Sequence, residues 1–432
     1  MIRIGIIPKL IFQKDDDMKD WRIKFSIILT YFVFAILLNS VGTVIMQVIN
    51  TYGVSKSSAA ILEGFKDIPI AVVSFIVASF LPRVGYRNAM MIGLAIVTLA
   101  CLSMPLMPSF LTTKILFLCI GVSFALVKVS VYSTVGLITN NKKEHAAFIS
   151  TVEGIFMVGV LSGYWMFSGF FDSSNVKSVG WLNIYWFLAG LCVFNILVLF
   201  TASLDESQAR KDEENLTEDF INMIKLAALP MVYVFVISAF LYVLIEQSIM
   251  TWLPTFNNEI MKLPTDMSVQ AASIFAACLA IGRLGAGRLL QKINWYPLVN
   301  GCIIIMMGLM LLTLPLTNNI SVRADVNWLN VPIAALIFPL IGLFMAPIYP
   351  AINSVMLSSL PKHKHSAMTG LIVTFSALGG TSGSMITGYV FGNFNGQTAF
   401  YLSLLPLTFI VLTLFLFKRE TEKKALRMAL TR

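Results

Sequence analysis

Two ionisable residues stand where apolar sequence surrounds them on both sides. Lys128 lies in LFLCIGVSFALVKVSVYSTVGLI and Glu153 in ISTVEGIFMVGVLSGYW, two long runs joined by the polar loop 140–145. A charge at hydrocarbon depth is costly unless it faces protein or a water-filled cavity, so the two point to a polar interior of the kind that carries solutes or ions. Lys128 and Tyr132 are one helical turn apart, and an ammonium and a phenol on one face suit an anionic or polyhydroxylated solute. The alternative is a structural ion pair between Lys128 and Glu153. Counted from the shared loop, the lysine lies about eleven residues deep and the glutamate about seven, a mismatch of roughly 6 Å that a long side chain spans. Both readings hold if the pair opens when substrate or a proton arrives. Glu153 shares a face with Met157, Val160 and Tyr164. A carboxylate shielded from water takes up a proton more readily than a solvated one, which makes Glu153 a candidate proton carrier. Glu246, with Tyr242, Ile249 and Leu253 on its face, is a second; its alternative is a hydrogen bond that holds its helix against a neighbour.

Other polar groups recur at helical spacing. Asn39 and Gln47 share a stripe with Tyr31 and Thr43, and Tyr349 and Asn353 follow Met345 at four-residue intervals. Uncharged amides and phenols suit a hydroxylated solute; they equally suit bonds between helices. Glu63, Lys66 and Asp67 stand at i, i+3 and i+4, so the lysine can pair with both acids. They read either as a self-neutralised helix face near the outer surface or as a gate or point of proton entry. Arg283, near the end of its run, is expected to snorkel or to cap carbonyls. His145, His363 and His365 fall in loops and make no metal-ligand pattern, and the five cysteines all lie inside apolar runs, where a thiol acts as a small hydrophobe. No cofactor, metal or catalytic residue is expected.

These residues need elements to hold them, and composition says which kind. The 432 residues are 57% hydrophobic and only 12% charged, about half the charge of a soluble domain, so lipid must serve as the outer solvent. Apolar runs of about twenty residues, not alternating ten-residue strands, exclude a β-barrel. Twelve helical spans are expected at 24–49, 58–81, 89–107, 114–139, 146–170, 181–202, 226–253, 267–290, 297–316, 331–358, 367–391 and 398–417, preceded by no cleavable leader. The charged stretch 203–225 divides them six and six. The domains expected are therefore an N-terminal segment 1–23, a bundle 24–202, a linker 203–225, a bundle 226–417 and a tail 418–432.

Lys and Arg collect on the side of the linker and both termini, which places that side in the cytoplasm of a plasma-membrane protein. The net charge of +9 comes from these flanking cations and makes no single basic face, so no nucleic-acid partner is expected. No G-x-x-x-x-G-K-[ST] is present, so ATP hydrolysis is not expected. The halves echo each other. Leu81-Pro82-Arg83-Val84-Gly85-Tyr86 after span two and Leu290-Gln291-Lys292-Ile293-Asn294-Trp295 after span eight keep one class order. Two parallel six-helix halves are a recurring transporter plan, with the solute site between them near the midplane.

Twelve spans, a six-and-six division and a basic turn after spans two and eight resemble the major facilitator superfamily across 24–417. Arg83, Gly85 and Arg87 keep that family's turn pattern; Pro82 stands where its acid is expected and Ala78 where its first glycine is. In the second half Gly287, Leu289 and Lys292 fit and Gln291 replaces the acid. The resemblance implies an all-α polytopic membrane protein of two pseudo-symmetric six-helix bundles, monomeric, moving solute by alternating access. It also implies that Arg83, Gly85 and Arg87, with Arg283 and Gly287, belong to the cytoplasmic gate. Within the superfamily the chain resembles the fucose–hexose–proton symporters, through Tyr242-Val243-Leu244-Ile245-Glu246 and Trp252-Leu253-Pro254 in span seven, and Gly342-Leu343-Phe344-Met345-Ala346-Pro347 with Tyr349-Pro350 in span ten. In spans one and four, where that group is expected to carry acids, Asn39 and Lys128 stand instead.

The function expected is that of a proton-coupled secondary transporter of a small polar solute, sugar-like or anionic, whose partners are solute, protons and lipid. An exporter of amphipathic compounds, or an importer of a larger anion such as a siderophore, is the rival, kept open by 32 Phe and 22 Met. A membrane enzyme or sensor would need a nucleophile cluster, a metal cluster or a soluble domain, and none is found in the sequence.

Overall fold

In hydrocarbon every backbone N–H and C=O must be satisfied within the chain, and a single apolar segment does that only as a helix. The computed structural model describes residues 17–139, 142–172, 175–206, 224–318, 320, 326–361 and 365–430, and all regular structure among them is helical. The first half comprises α1 (Asp17–Asn39), α2 (Val41–Tyr52), α3 (Lys56–Val84), α4 (Tyr86–Leu106), α5 (Phe110–Ile138), α6 (Lys142–Ser168) and α7 (Ile184–Thr201). The second comprises α8 (Pro230–Glu259), α9 (Thr265–Lys292), α10 (Trp295–Thr313), α11 (Ala334–Ile337), α12 (Ile341–Met345), α13 (Ile348–Ser358), α14 (His365–Asn393), α15 (Gly396–Leu402) and α16 (Leu404–Leu430). Among the described residues ten segments are long and apolar enough to cross a membrane. Helices α3 and α14, 29 residues each, fall at the second and eleventh places of a twelve-span order.

Local sequence sets the ends. Ser55 and Ser109 cap α3 and α5 by accepting the N–H of Ser58 at 3.1 Å and of Thr112 at 3.0 Å. Gly85, at φ +90°, makes the turn between α3 and α4, a conformation open to glycine and strained for other residues. Span ten is interrupted twice: at Pro347, between α12 and α13, where the sequence predicts it, and at a short 3₁₀ turn, Phe338–Leu340, that holds Pro339, between α11 and α12; Pro350 lies in the first turn of α13 and breaks nothing. Span one is also broken, at Ser40 between α1 and α2, which the sequence reading did not anticipate. Helix α1 starts at Asp17, inside the expected N-terminal segment 1–23. The tail continues α16, which runs to Leu430.

Each half packs on itself: α1 against α6 and α7, and α5 against α3 and α4; in the second, α8 against α14 and α16, and α9 against α12. The halves meet along three lines, α3 on α14, α6 on α9, and α2 on α8. In span order these are two with eleven, five with eight and one with seven, the pairs that a two-fold axis between equivalent halves exchanges.

The bundles touch at one end and part at the other. At the end remote from the linker, Trp165 Nε1 of α6 donates to Ser273 Oγ of α9 at 3.2 Å, Gln270 Nε2 donates to Ser168 Oγ at 3.2 Å, and Lys56 pairs with Glu259 at 2.8 Å. Trp165 also stacks on Trp328 with centroids 6.4 Å apart. Toward the linker the same faces are bare. On α6 they show Ala147, Thr151, Gly154 and Val158, and on α9 Ile281, 60% exposed, and Leu284, 77% exposed. The result is a gap sealed at the far end and open at the linker end.

Candidate functional site

Lys128 lies ten residues before the end of α5, Glu153 eleven after the start of α6, and Arg283 nine before the end of α9. At 1.5 Å per residue all three sit about 15 Å in from the open end. The expected depth mismatch between Lys128 and Glu153 disappears because α6 begins at Lys142, before the apolar run that the sequence marks.

The two do not pair. Glu153 Oε1 accepts the Tyr132 hydroxyl at 2.6 Å. Among the described residues no carboxylate lies within 4.0 Å of Lys128, whose Nζ stands 5.8 Å from the centre of the Phe124 ring. That ring belongs to an aromatic nest with Phe34, Tyr31 and Phe156, at centroid distances of 5.7, 6.3 and 6.4 Å. The ammonium therefore keeps its N–H donors free in the open gap, over a surface that favours a cation. Phe124 and Phe156 carry no polar signal and went unmarked in the sequence reading. Only their place one turn from Lys128 and near Glu153 could have drawn attention to them.

An ion pair forms elsewhere. Arg283 Nη2 of α9 meets Glu246 Oε1 of α8 at 2.9 Å, and the Tyr242 hydroxyl donates to the same carboxylate at 3.3 Å. Tyr242 stacks on Tyr349 at 5.3 Å and 22°, and the Tyr349 hydroxyl bonds Ser376 at 2.8 Å. The expectation that Arg283 snorkels or caps carbonyls is thus corrected: its partner is a buried acid one helix away. Asn353 Oδ1 is buried with no hydrogen-bond partner among the described residues.

Asn39 and Gln47, two further expected solute contacts, lie on either side of the break in span one. Asn39 bonds back to its own helix, to Ala35 O at 2.8 Å. Gln47 is buried at the sealed end beside Asp172, Asn175 and Thr265, away from Lys128. Glu63, Lys66 and Asp67 are not a surface face either. Glu63 is fully buried and accepts the hydroxyl of Thr251, from the other bundle, at 2.9 Å.

The basic turn is built differently from a latch between halves. The Arg87 N–H donates to Glu206 Oε1 at 2.9 Å, and its Nη1 donates to Ala202 O at 2.7 Å. A Cβ at Gly85 would come to 2.6 Å from Glu206 Oε2. The acid absent at Pro82 is thus supplied by Glu206, from the chain leaving α7, and the contact stays within the first bundle at the open end. Gly287 is exposed with nothing near its Cα hydrogens. The side chain of Arg83 lies outside the described residues, as do Arg3, Lys9, Lys14, Arg210, Lys211, Arg323, Lys362, His363, Lys364 and Arg432.

No curated protein matches the chain. Among solved structures it is similar to a bacterial homologue of the human lysosomal transporter Spinster in an inward-facing, unoccupied conformation, at 12% identity and TM-score 0.76, covering 96% of this chain and 99% of that one. It is similar to a D-xylose–proton symporter at 16% identity and TM-score 0.65, covering 91% and 97%. It is similar to the E. coli fucose:proton symporter at 14% identity and TM-score 0.59, covering 93% and 99%. At these identities the likeness is one of fold. The family model described as Major Facilitator Superfamily matches residues 25–380 and 326–429. With two helical halves around a one-ended gap and a family match over most of its length, the chain belongs to the major facilitator superfamily.

Proposed function

We propose that the chain is a proton-coupled secondary transporter that moves a small polar solute bearing negative charge through the gap between its bundles. The observation that carries this reading is Lys128: an ammonium with no carboxylate partner among the described residues, facing an open gap where a lipid-facing charge would be costly. An anion entering from the linker end meets it first. Glu153, held by Tyr132 at the same depth, and Glu246, held by Arg283, are the carboxylates placed to exchange a proton as the solute binds. Tyr132, Tyr349 and Asn353 offer hydroxyl and amide groups beside them. Alternating access then means closing the linker end and parting the far end.

The Lys and Arg bias puts the open end and both termini in the cytoplasm, and the membrane as the plasma membrane. The kinship with fucose–hexose–proton symporters rests on the motifs of spans seven and ten. The chain is taken as a monomer, as the resemblance implies. A second reading, an importer of a larger anion such as a siderophore, is favoured by the aromatic nest under Lys128 and the bare Ile281 and Leu284.

The test is uptake by proteoliposomes of radiolabelled carboxylates, sugars and siderophores under an imposed pH gradient. An anion accumulates when the lumen is alkaline, and Lys128→Gln lowers its uptake at least tenfold while the protein stays folded. Uptake of neutral sugars alone, unchanged in Lys128→Gln, refutes the anion assignment.

A further inference from the structure

We propose that Glu63, Lys66 and Asp67 form a proton-binding lock on the sealed end of the gap: the two carboxylates share a proton while that end is closed and release it when the end opens. The inference rests on the alternating-access reading but not on the identity of the solute.

The three residues lie on one face of α3, two to three turns in from its sealed end. Lys66, 5% exposed, reaches Glu63 Oε1 at 2.5 Å and Asp67 Oδ1 at 3.4 Å, and the Leu38 carbonyl at 3.4 Å beside the break in span one. The second bundle closes over them. Thr251 of α8 donates to Glu63 Oε2 at 2.9 Å, and Gly380 of α14 approaches so closely that a Cβ there would come to 2.7 Å from Asp67 Oδ2. Gly42 of α2 packs on the Thr251 carbonyl with no room for a Cβ, so the hydroxyl is held in place. Any motion that parts the sealed end strips Thr251 and Gly380 from the acids.

Two carboxylates and one ammonium leave one negative charge uncompensated. Thr251 and Gln247 of α8, the α14 glycine backbone, the α1 carbonyl and the Tyr164 phenol of α6 complete the surroundings. None of these elements brings a second cation to the acids among the described residues. A lone charge withdrawn from water is strongly disfavoured, and a proton on one carboxylate removes it. Opening the end admits water, both acids ionise, and the O–H bond formed on closure breaks. The closed state therefore binds one proton more than the open state. Acid favours closure, and each pH unit of rise moves the open-to-closed ratio toward open by up to about tenfold.

Spin labels at Val176 and Asn393, exposed positions at the sealed end on opposite bundles, read this width by pulsed electron resonance. The full chain, with its cysteines replaced, is used in lipid nanodiscs without substrate. The long-distance population is expected to grow with pH along the one-proton slope. Glu63→Gln and Asp67→Asn are each expected to hold the short distance at every pH, and Thr251→Val to raise the long-distance population throughout. A width independent of pH before mutation, or the same slope in both acid variants, overturns the lock. Uptake by the same proteins separates the two readings: flat widths with intact uptake remove the lock alone, whereas pH-linked widths without uptake of any solute remove the transporter reading alone.

Discussion

Arg283 and Glu246 are joined at 2.9 Å while Lys128 and Glu153 are not, and the difference divides their roles. A paired charge is neutralised in place and resists removal of either partner; an unpaired ammonium waits for a ligand. Removing one member of a buried pair costs about 3–5 kcal/mol, because the other charge is stranded. Arg283 is partly open to the gap, so Glu246→Gln is expected to cost about 1–3 kcal/mol, and adding Arg283→Gln to restore most of it. Thermal unfolding of the two singles and the double checks this; a double loss equal to the sum of the two single losses would show that the pair carries no coupling. The pair was not legible because its members are 37 residues apart on separate helices. In a run that is apolar on every side, periodicity does not say which way one polar residue turns.

At the scale of elements, some breaks are written in the chain and others are not. Span ten breaks at Pro347 and at the 3₁₀ turn that holds Pro339, where a proline removes a donor and clashes with the preceding turn. The break in span one at Ser40 has no proline. There Ser40 Oγ and Asn39 Nδ2 bond back to the carbonyls of Leu37 and Ala35, each at 2.8 Å, a local competition that bends helices. Two glycines of α14 let it approach α8 closely. At Gly379 and Gly383 a Cβ would run into the carbonyls of Phe240 and Leu244 on α8, the close approach that small residues permit in membranes. Gly383→Ala is therefore expected to cost about 1–3 kcal/mol through overpacking. Gly308→Ala, with nothing within 4 Å of its Cβ, is expected to leave the melting temperature level or slightly higher. Equal melting shifts in the two variants would refute the packing account.

At the scale of the whole molecule, the sealed end is a set of polar bridges over apolar surface. Such a seam can part without exposing a large dry core. If alternating access runs through it, a reducible disulfide-forming bifunctional cross-linker between Ser168→Cys and Gln270→Cys, positions whose side chains now bond, stops uptake, and a reductant restores it. Uptake unaffected by the cross-link would place the moving seam elsewhere. The amino-acid sequence by itself determined that the chain is helical and lipid-embedded, with a charged stretch near its middle. Those properties are sums along a line, of apolar length and of charge near each turn, and the membrane reads them segment by segment. Which charges meet was decided only when the bundles packed. Glu246 found Arg283, Glu153 found Tyr132, Glu63 found Thr251, Arg87 found Glu206, and Lys128 found no carboxylate within 4.0 Å among the described residues. Each of those outcomes depends on how a helix is rotated about its own axis. With apolar residues on every side, that rotation is set by neighbours, by close glycine contacts and by which end of the gap is shut.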